Sequence, residues 1–375
     1  MISTPSPPLL FLLLLFASAI LVVLGDTFDD VVSTKVTKLA IRGASIAYYD
    51  RNKMTFPVVR GYGQVSSVAS SANVTPDTVF MLASVSKPFT ASAVAVLVDQ
   101  GIISSIDDDI CDVVPAEYSK EMCRNPKYPN IKVTWRMMIT HRSSMKRNIP
   151  DTKNQEGKLI SPTYGPSGGY ISDAPAAGNP TCPLGGVVDF YHSLLTDNPD
   201  AITEVGAGVK LQGGKDLNWY DLAKSKGGGM WKGYKPGQKG EYSNAAFGYV
   251  PAFVELASGK SFPEFCRENL FEPLGMEHTA WFRDDLPVNT REAIPVENNN
   301  NGGFQDVGHY CFIDYASGKL RTSANDLSLW GNAMLEYGTP MFWSPNIGRE
   351  VVKCQERNAN NKTIKTVNLD TGGFC

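Results

Sequence analysis

Four histidines in 375 residues leave little room for chemistry built on imidazole. His141, His192, His278 and His309 are scattered, so a Ser-His-Asp relay would have to recruit one of them across a long stretch of chain. The seven cysteines include no Cys-x-x-Cys pair and no Cys/His cluster, which removes the usual zinc spacings. There is no long basic run and the formal net charge is -3, which argues against a nucleic-acid partner. Asp107 to Asp109 lack the ligand spacing of a calcium loop and read as a solvated turn. Gly61-Tyr62-Gly63-Gln64-Val65-Ser66 is too short for a nucleotide fingerprint, and no internal repeat is present.

What remains is an ordinary globular composition, 42% hydrophobic and 19% charged, long enough for a sizeable core. The run Leu9 to Gly25 (LLFLLLLFASAILVVLG) has the character of a secretory signal peptide, with cleavage after Ala19 or Gly25. An uncleaved membrane anchor is the alternative, although the run is near the lower limit for a span. Residues 1–25 are therefore set apart, and residues 26–375 are expected to form a single domain. Secretion, or delivery to a lumen, would expose the cysteines to oxidising conditions. Cys111 and Cys123 lie close enough in sequence to pair, leaving Cys182, Cys266, Cys311, Cys354 and Cys375. Asn73-Val74-Thr75 and Asn361-Lys362-Thr363 have the spacing of glycan acceptors.

Residues 43–66 read as a β-hairpin, two stretches rich in β-branched and aromatic residues around a polar DRNK. A helix is predicted from near Ser84 to Gly101. IKVTWRMMIT fits a strand or a short buried helix, since its periodicity does not decide. Residues 146–240 are rich in Gly, Pro, Asn and Lys and form a long excursion, with one short helix over VVDFYHSLL. AAFGYVPAFVELASG reads as a helix kinked or started late by Pro251. Ser261 and Glu264 have the spacing of a capping box opening a helix through Leu270. A last helix covers SANDLSLWGNAML, capped by Ser323 or Asn325.

The chemistry concentrates at MLASVSKPFTASAVAVLVDQG, residues 81–101. Ser84 and Lys87 are three apart, so on a helix they share a face and the hydroxyl meets the amine. A serine hydroxyl needs a neighbouring base, and a lysine serves only if burial or nearby positive charge depresses its pKa. A helix N-terminus adds backbone N–H groups able to hold an oxyanion. The run after Pro88 is apolar on all sides, which suits a buried helix that fixes its own end. Ser143-Ser144-Met145-Lys146 repeats the spacing without a following apolar helix. Tyr242-Ser243-Asn244 adds a phenol to shuttle a proton and an amide to hold Lys87 and a substrate. Tyr128-Pro129-Asn130 repeats that pattern in a Pro-rich loop.

Together these elements resemble the serine β-lactamase and penicillin-binding-protein superfamily, nearest its class C-like branch of esterases and D-amino peptidases. The resemblance runs through residues 75–115, VTWRMMITHRSSM, YKPGQKGEYSNAAFGY, FEPLGMEHTAW and SGKLRTSANDLSLWGNAML, covering about residues 40–145 and 232–345. It implies an α+β fold of the β-lactamase/transpeptidase type, with an antiparallel sheet flanked by helices and a mainly helical lobe. It also implies Ser84 as nucleophile, Lys87 as its base, Tyr242 as proton relay and Asn244 as the group orienting Lys87 and the substrate. No metal and no organic cofactor is required. His141, which falls in the family's "THTSG" segment, is read as structural.

The family's third element, Lys/His-x-Gly, has no clear match. Asp370-Thr371-Gly372 has its spacing but offers an acid where the family has a base. The preferred reading is that the closing strands and third motif lie beyond Cys375. The expected function is a secreted or lumenal serine acyl hydrolase (esterase, peptidase or β-lactamase-like), acting through a Ser84 acyl-enzyme on a small ester, amide or peptide, with β-lactam hydrolysis ranked below ester or peptide cleavage. The alternative is an inactive or truncated relative kept as a binding scaffold.

Overall fold

The computed structural model describes residues 28–49, 57–116, 120–148, 230–298, 303–311, 314–342 and 344–352, with short paired strands between 152 and 217. The apolar run of residues 9–25, the VVDFYHSLL segment, Cys182, His192, Cys354, the Asn361 triplet and Asp370 to Cys375 lie outside these residues. No helix among the described residues is long and apolar enough to cross a membrane.

A first helix, α1 (28–38), precedes the expected hairpin. Its strands are β1 (Gly43–Tyr48) and β2 (Val58–Gly63), antiparallel with Gly43 opposite Gly63 and Tyr48 opposite Val58. β3 (Val79–Met81) leads into a 3₁₀ turn, Ala83–Ser86, and then α2 (Lys87–Asp99), with Pro88 in its first turn and Gly101 just beyond it at φ 71°. IKVTWRMMIT resolves as a helix: Thr134 accepts a hydrogen bond from Met137 N–H and caps α3 (Trp135–Ile139).

Helix α4 (Asn244–Ser258) begins well before Pro251, because the Ser243 hydroxyl accepts from Ala246 N–H at 2.9 Å and starts the helix there. Pro251 therefore sits inside it. α5 (Phe262–Cys266) runs on through a π turn to Leu274 and stops at Gly275 with φ 70°. Ser261 precedes α5 as expected, but its side chain makes no capping bond. Phe262 N–H donates instead to Glu255 Oε1 at 2.9 Å, so α4 caps α5 and the predicted box is not formed. Ser323 caps α6 (Ala324–Leu335) by accepting from Asp326 N–H at 3.1 Å, and α7 (Pro345–Val352) closes the described chain. β4, over Arg321–Ser323, pairs antiparallel with β3, so Arg321 lies opposite Met81.

The strands thus form small antiparallel sheets, with α6 against the hairpin strand β1 and α2, α3 and α4 packed together beneath. α2 is central: Phe89, Ala93, Val94 and Leu97 are fully buried, and Phe89 faces Trp330 of α6 at a ring separation of 4.6 Å. A second set of rings, Phe262, Trp281, Phe282 and Tyr315, joins α5 to the turn Tyr315–Ser317, with Phe282 and Tyr315 4.9 Å apart. The Ser317 carbonyl of that turn accepts from the Lys87 amine.

The acidic run is only in part the solvated turn expected from sequence: Asp107 is exposed, whereas Asp109 is buried. Asp108 accepts from the backbone N–H groups of Ser104 and Ser105, and Asp107 binds Arg136 at 2.7 and 2.9 Å. Asp109, only 3% exposed, takes both arms of Arg124 at 2.7 and 2.5 Å. The same loop holds the Cys111–Cys123 disulfide, with a Cα separation of 5.4 Å, and Cys266 is a buried free thiol. None of the described residues form a cluster of three or more His, Cys, Asp or Glu able to hold a metal ion.

Phe253 packs edge-on against Trp135 at 6.1 Å and against Tyr249 at 4.6 Å. Phe253→Ala is expected to lower unfolding free energy by about 3–5 kcal/mol, read as a lower urea midpoint at unchanged slope. Reducing Cys111–Cys123, a span of 12 residues, is expected to remove about 3 kcal/mol at most, seen as a lower Tm in the presence of a thiol reductant.

Candidate active site

Ser84 is exposed at the surface, yet its neighbours in sequence are anchored. It lies in the 3₁₀ turn between β3 and α2, following Ala83 at φ 45°. That left-handed conformation costs an alanine about 1–2 kcal/mol, and it persists because both flanks are fixed. On one side Leu82 N–H donates to Leu320 O at 2.9 Å. On the other the Ser86 hydroxyl accepts from Leu320 N–H at 2.9 Å, and Thr90 Oγ1 donates to Ala316 O at 2.8 Å. The segment 316–320 thus grips the start of α2 and presents the Ser84 side chain outward.

Lys87 is the first residue of α2 and is 1% exposed. Its Nζ donates to Ser317 O at 2.6 Å and to Ser84 Oγ at 3.3 Å. Burial pushes its pKa down to about 8; the Asp314 carboxylate opposes that fall, and Arg147 adds to it. A buried amine at this value exchanges protons near neutral pH, as a base for a hydroxyl must.

Tyr242 completes the group. Its Oη lies 2.7 Å from Ser84 Oγ, and its ring centroid is 4.7 Å from Lys87 Nζ and 5.3 Å from the Arg147 guanidinium. His141 stacks on the same ring at 4.6 Å, and its Nδ1 accepts from Ser243 N–H at 3.1 Å. The phenol is therefore held by cations, a stacked imidazole and the backbone at the start of α4. Ser84, Lys87 and Tyr242, which are 158 residues apart at the extremes, form one hydrogen-bonded set.

Asn244 is near but differently engaged. It is the first residue of α4, its Nδ2 donates to Asn148 Oδ1 at 2.9 Å, and its backbone N–H donates to Arg147 O at 2.6 Å. The bond that orients Lys87 comes from the Ser317 carbonyl. The two decoy motifs have structural partners. Asn125 Nδ2 donates to Ser144 Oγ at 2.9 Å, Ser143 and Ser144 are 1% exposed, and Tyr128 Oη donates to Gly233 O at 2.9 Å. Ser167 has Gly-x-Ser-x-Gly spacing within Gly165–Gly169 and lies outside the described residues.

Four site residues escaped the motif reading: Asp314, Ser317, Arg147 and Asn148. Ser317 acts through its backbone, which carries no residue-type signal. Asp314 sits three residues before it and is fully buried. Arg147 and Asn148 follow the decoy Ser-x-x-Lys and had no pattern of their own.

A family model described as Beta-lactamase matches residues 28–185 and 210–351. Among curated proteins, the chain is 36% identical over 115 residues to Beta-lactamase-like protein 4 of Dictyostelium discoideum, covering 30% of this chain and 19% of that one. It is 23% identical over 263 residues to the Escherichia coli D-alanyl-D-alanine-carboxypeptidase/endopeptidase AmpH, covering 68% and 51%. The chain thus spans about half the length, or less, of these relatives. Solved structures share its fold at 18% identity. The Pyrococcus abyssi penicillin-binding protein homologue gives a TM-score of 0.58 over 89% of this chain and 61% of that chain. The Ochrobactrum anthropi D-amino acid amidase gives 0.54 over 85% and 71%. A class C β-lactamase gives 0.54 over 88% and 68%. The fold is therefore of the β-lactamase type, and by the extent of the matched residues the chain belongs to the Beta-lactamase family.

Proposed function

We propose that the chain is a serine acyl hydrolase that works through an acyl-enzyme on Ser84. The observation that supports this most is the mutual contact of an exposed serine hydroxyl, a phenol at 2.7 Å and a buried amine at 3.3 Å. In the reading, the neutral Lys87 amine draws the Ser84 proton, directly or through the Tyr242 hydroxyl. Ser84 Oγ attacks the carbonyl carbon of an ester or amide, and the tetrahedral intermediate collapses as the captured proton passes to the leaving alcohol or amine. Water then repeats the sequence on the acyl-serine, releasing the acid and returning the proton to Ser84. Each proton that moves to the leaving group or from the water is carried by one of the three side chains.

The substrate we infer is a small ester, amide or peptide, in keeping with the carboxypeptidase/endopeptidase and amidase among the similar proteins. Nothing in the described site favours a β-lactam over these. An oxidising, secreted or lumenal setting is part of the proposal, and the Cys111–Cys123 disulfide supports it.

Labelling by a fluorophosphonate or a fluorescent penicillin should appear in the full chain and vanish in Ser84→Ala. Labelling that survives the substitution refutes the nucleophile. Absence of labelling in the folded parent chain refutes the hydrolase and leaves a binding scaffold. Removing the phenol oxygen in Tyr242→Phe should slow labelling by about 10²–10⁴-fold with thermal stability little changed; an unaltered rate would remove Tyr242 from the relay.

The pH dependence has a definite sign. Lys87 serves only when neutral, and its pKa is about 8, so the acylation rate should climb as pH rises through about 8 and level off above. Stability should also rise with pH from about 8 toward the ordinary lysine value near 10.5, because the unfolded chain there holds a proton the folded chain has lost. A rate that falls across pH 7–9 in the folded protein would rule out an amine base.

A further inference from the structure

We propose that Asp314 is a positioning residue for the Ser84 site, which with Arg147 sets the proton affinity of Lys87 from opposite sides. The proposal deepens the hydrolase reading and rests on it for its catalytic meaning, though not for its electrostatic content.

Asp314 is 0% exposed, and among the described residues its Oδ1 has no hydrogen-bond partner. An isolated buried carboxylate costs several kcal/mol unless it is paired or neutral. Its Oδ2 accepts from Ser317 Oγ at a long 3.4 Å, and a backbone hydrogen bond within Asp314 adds to this. Burial raises the Asp314 pKa to about 6; a hydrogen bond from its own backbone and, after it, the field of the Lys87 ammonium oppose that rise. The two groups therefore carry opposite charges between about pH 6 and 8, the window in which the amine begins to lose its proton.

The local fold fixes this arrangement. Ser317 N–H donates to Asp314 O at 2.8 Å and closes a turn, and the Ser317 carbonyl at its end takes the Lys87 proton donor at 2.6 Å. Tyr315, 2% exposed, wedges the turn into the Trp281 and Phe282 rings, and Thr90 of α2 bonds Ala316 O. Asp314 thus acts twice on one amine, by its charge and by shaping the turn whose carbonyl holds Nζ.

Among the described residues, the other groups facing Lys87 are few. Tyr242 contributes its ring and hydroxyl, Phe247 its ring at 5.6 Å, Ser84 its hydroxyl, and Arg147 a positive charge 5.3 Å from the Tyr242 ring centroid. His141 stacks on Tyr242 and so is one ring removed from the amine. Arg147 is exposed, so its charge is screened, whereas Asp314 is not. The carboxylate should therefore be the stronger lever. It prevents burial and Arg147 from driving Lys87 so low that the amine would be a poor base.

The test is side-chain NMR titration of isotope-labelled lysine in the full chain, with the Lys87 signal assigned by its loss in Lys87→Met. Asp314→Asn should move the Lys87 midpoint down by about one pH unit or more. Arg147→Gln, at an exposed residue that burial does not constrain, should move it up by a smaller amount. Fluorophosphonate labelling of Ser84 should follow, with its pH midpoint shifted the same way in each variant. A midpoint unmoved in both variants, or moved the same way in both, overturns the proposal. If Asp314→Asn fails to fold, Lys87→Met reads the same coupling from the other side: the Asp314 carboxyl midpoint, followed by carboxyl NMR, should rise when the ammonium is removed, and an unmoved midpoint contradicts the proposal. Lysine midpoints that move as stated in a chain that never labels at Ser84 would sustain this inference and sink the hydrolase reading instead.

Discussion

The short bond from the Lys87 amine to the Ser317 carbonyl is the constraint on which the site depends. Lys87 is at the tip of the central helix, and without a fixed acceptor a buried ammonium would turn away or force the helix end open. The carbonyl is fixed because its turn is wedged among aromatic rings and bonded to Thr90 one turn further along α2. Core packing thereby reaches the reactive atoms in two steps, from rings to turn and from turn to amine. The amine then has one remaining direction, toward Ser84 and the Tyr242 ring.

The site carries destabilising features that the surrounding packing offsets. Ala83 is held left-handed, Lys87 is buried with its pKa lowered, and Asp314 is buried with its pKa raised. Each costs free energy in a chain that only had to fold. They gather within a few residues of one another in space, around a hydroxyl left open to solvent. Asp109, also buried, is paired with Arg124 in the ordinary way. Burial also perturbs Asp326, Asp285 and the Cys266 thiol elsewhere in the fold; what marks this spot as a candidate functional site is a perturbed amine against an exposed hydroxyl.

Much of this was legible in the sequence where the signal was local. Ser84 and Lys87 are joined by one helical turn, and Tyr242 lies just before an apolar helix, so spacing and context singled them out. The hairpin was plain from its β-branched runs. Where two local rules competed, the sequence was mute or misleading. IKVTWRMMIT became a helix through the Thr134 cap, which periodicity could not weigh. Ser261 lost its capping role because Glu255 of the preceding helix supplies the acceptor, a tertiary contact that overrides the local box. The acidic run read as solvated because its partners Arg124 and Arg136 follow much later in the chain. Ser317 was invisible because a backbone carbonyl leaves no trace in residue type.

The family assignment constrains the fold more tightly than the substrate, since one scaffold supports several acyl chemistries. In this chain the amine lies beneath the Tyr242 ring that Arg147 also approaches, and the Asn148 amide engages Asn244. The central claim is that the exposed hydroxyl beside this amine is the group that becomes acylated. Peptide mapping by mass spectrometry after fluorophosphonate treatment of the full chain tests it directly. The account predicts one adduct, carried on Ser84 within the peptide that contains Lys87; a stoichiometric adduct on any other serine, such as Ser144 or Ser167, would contradict it.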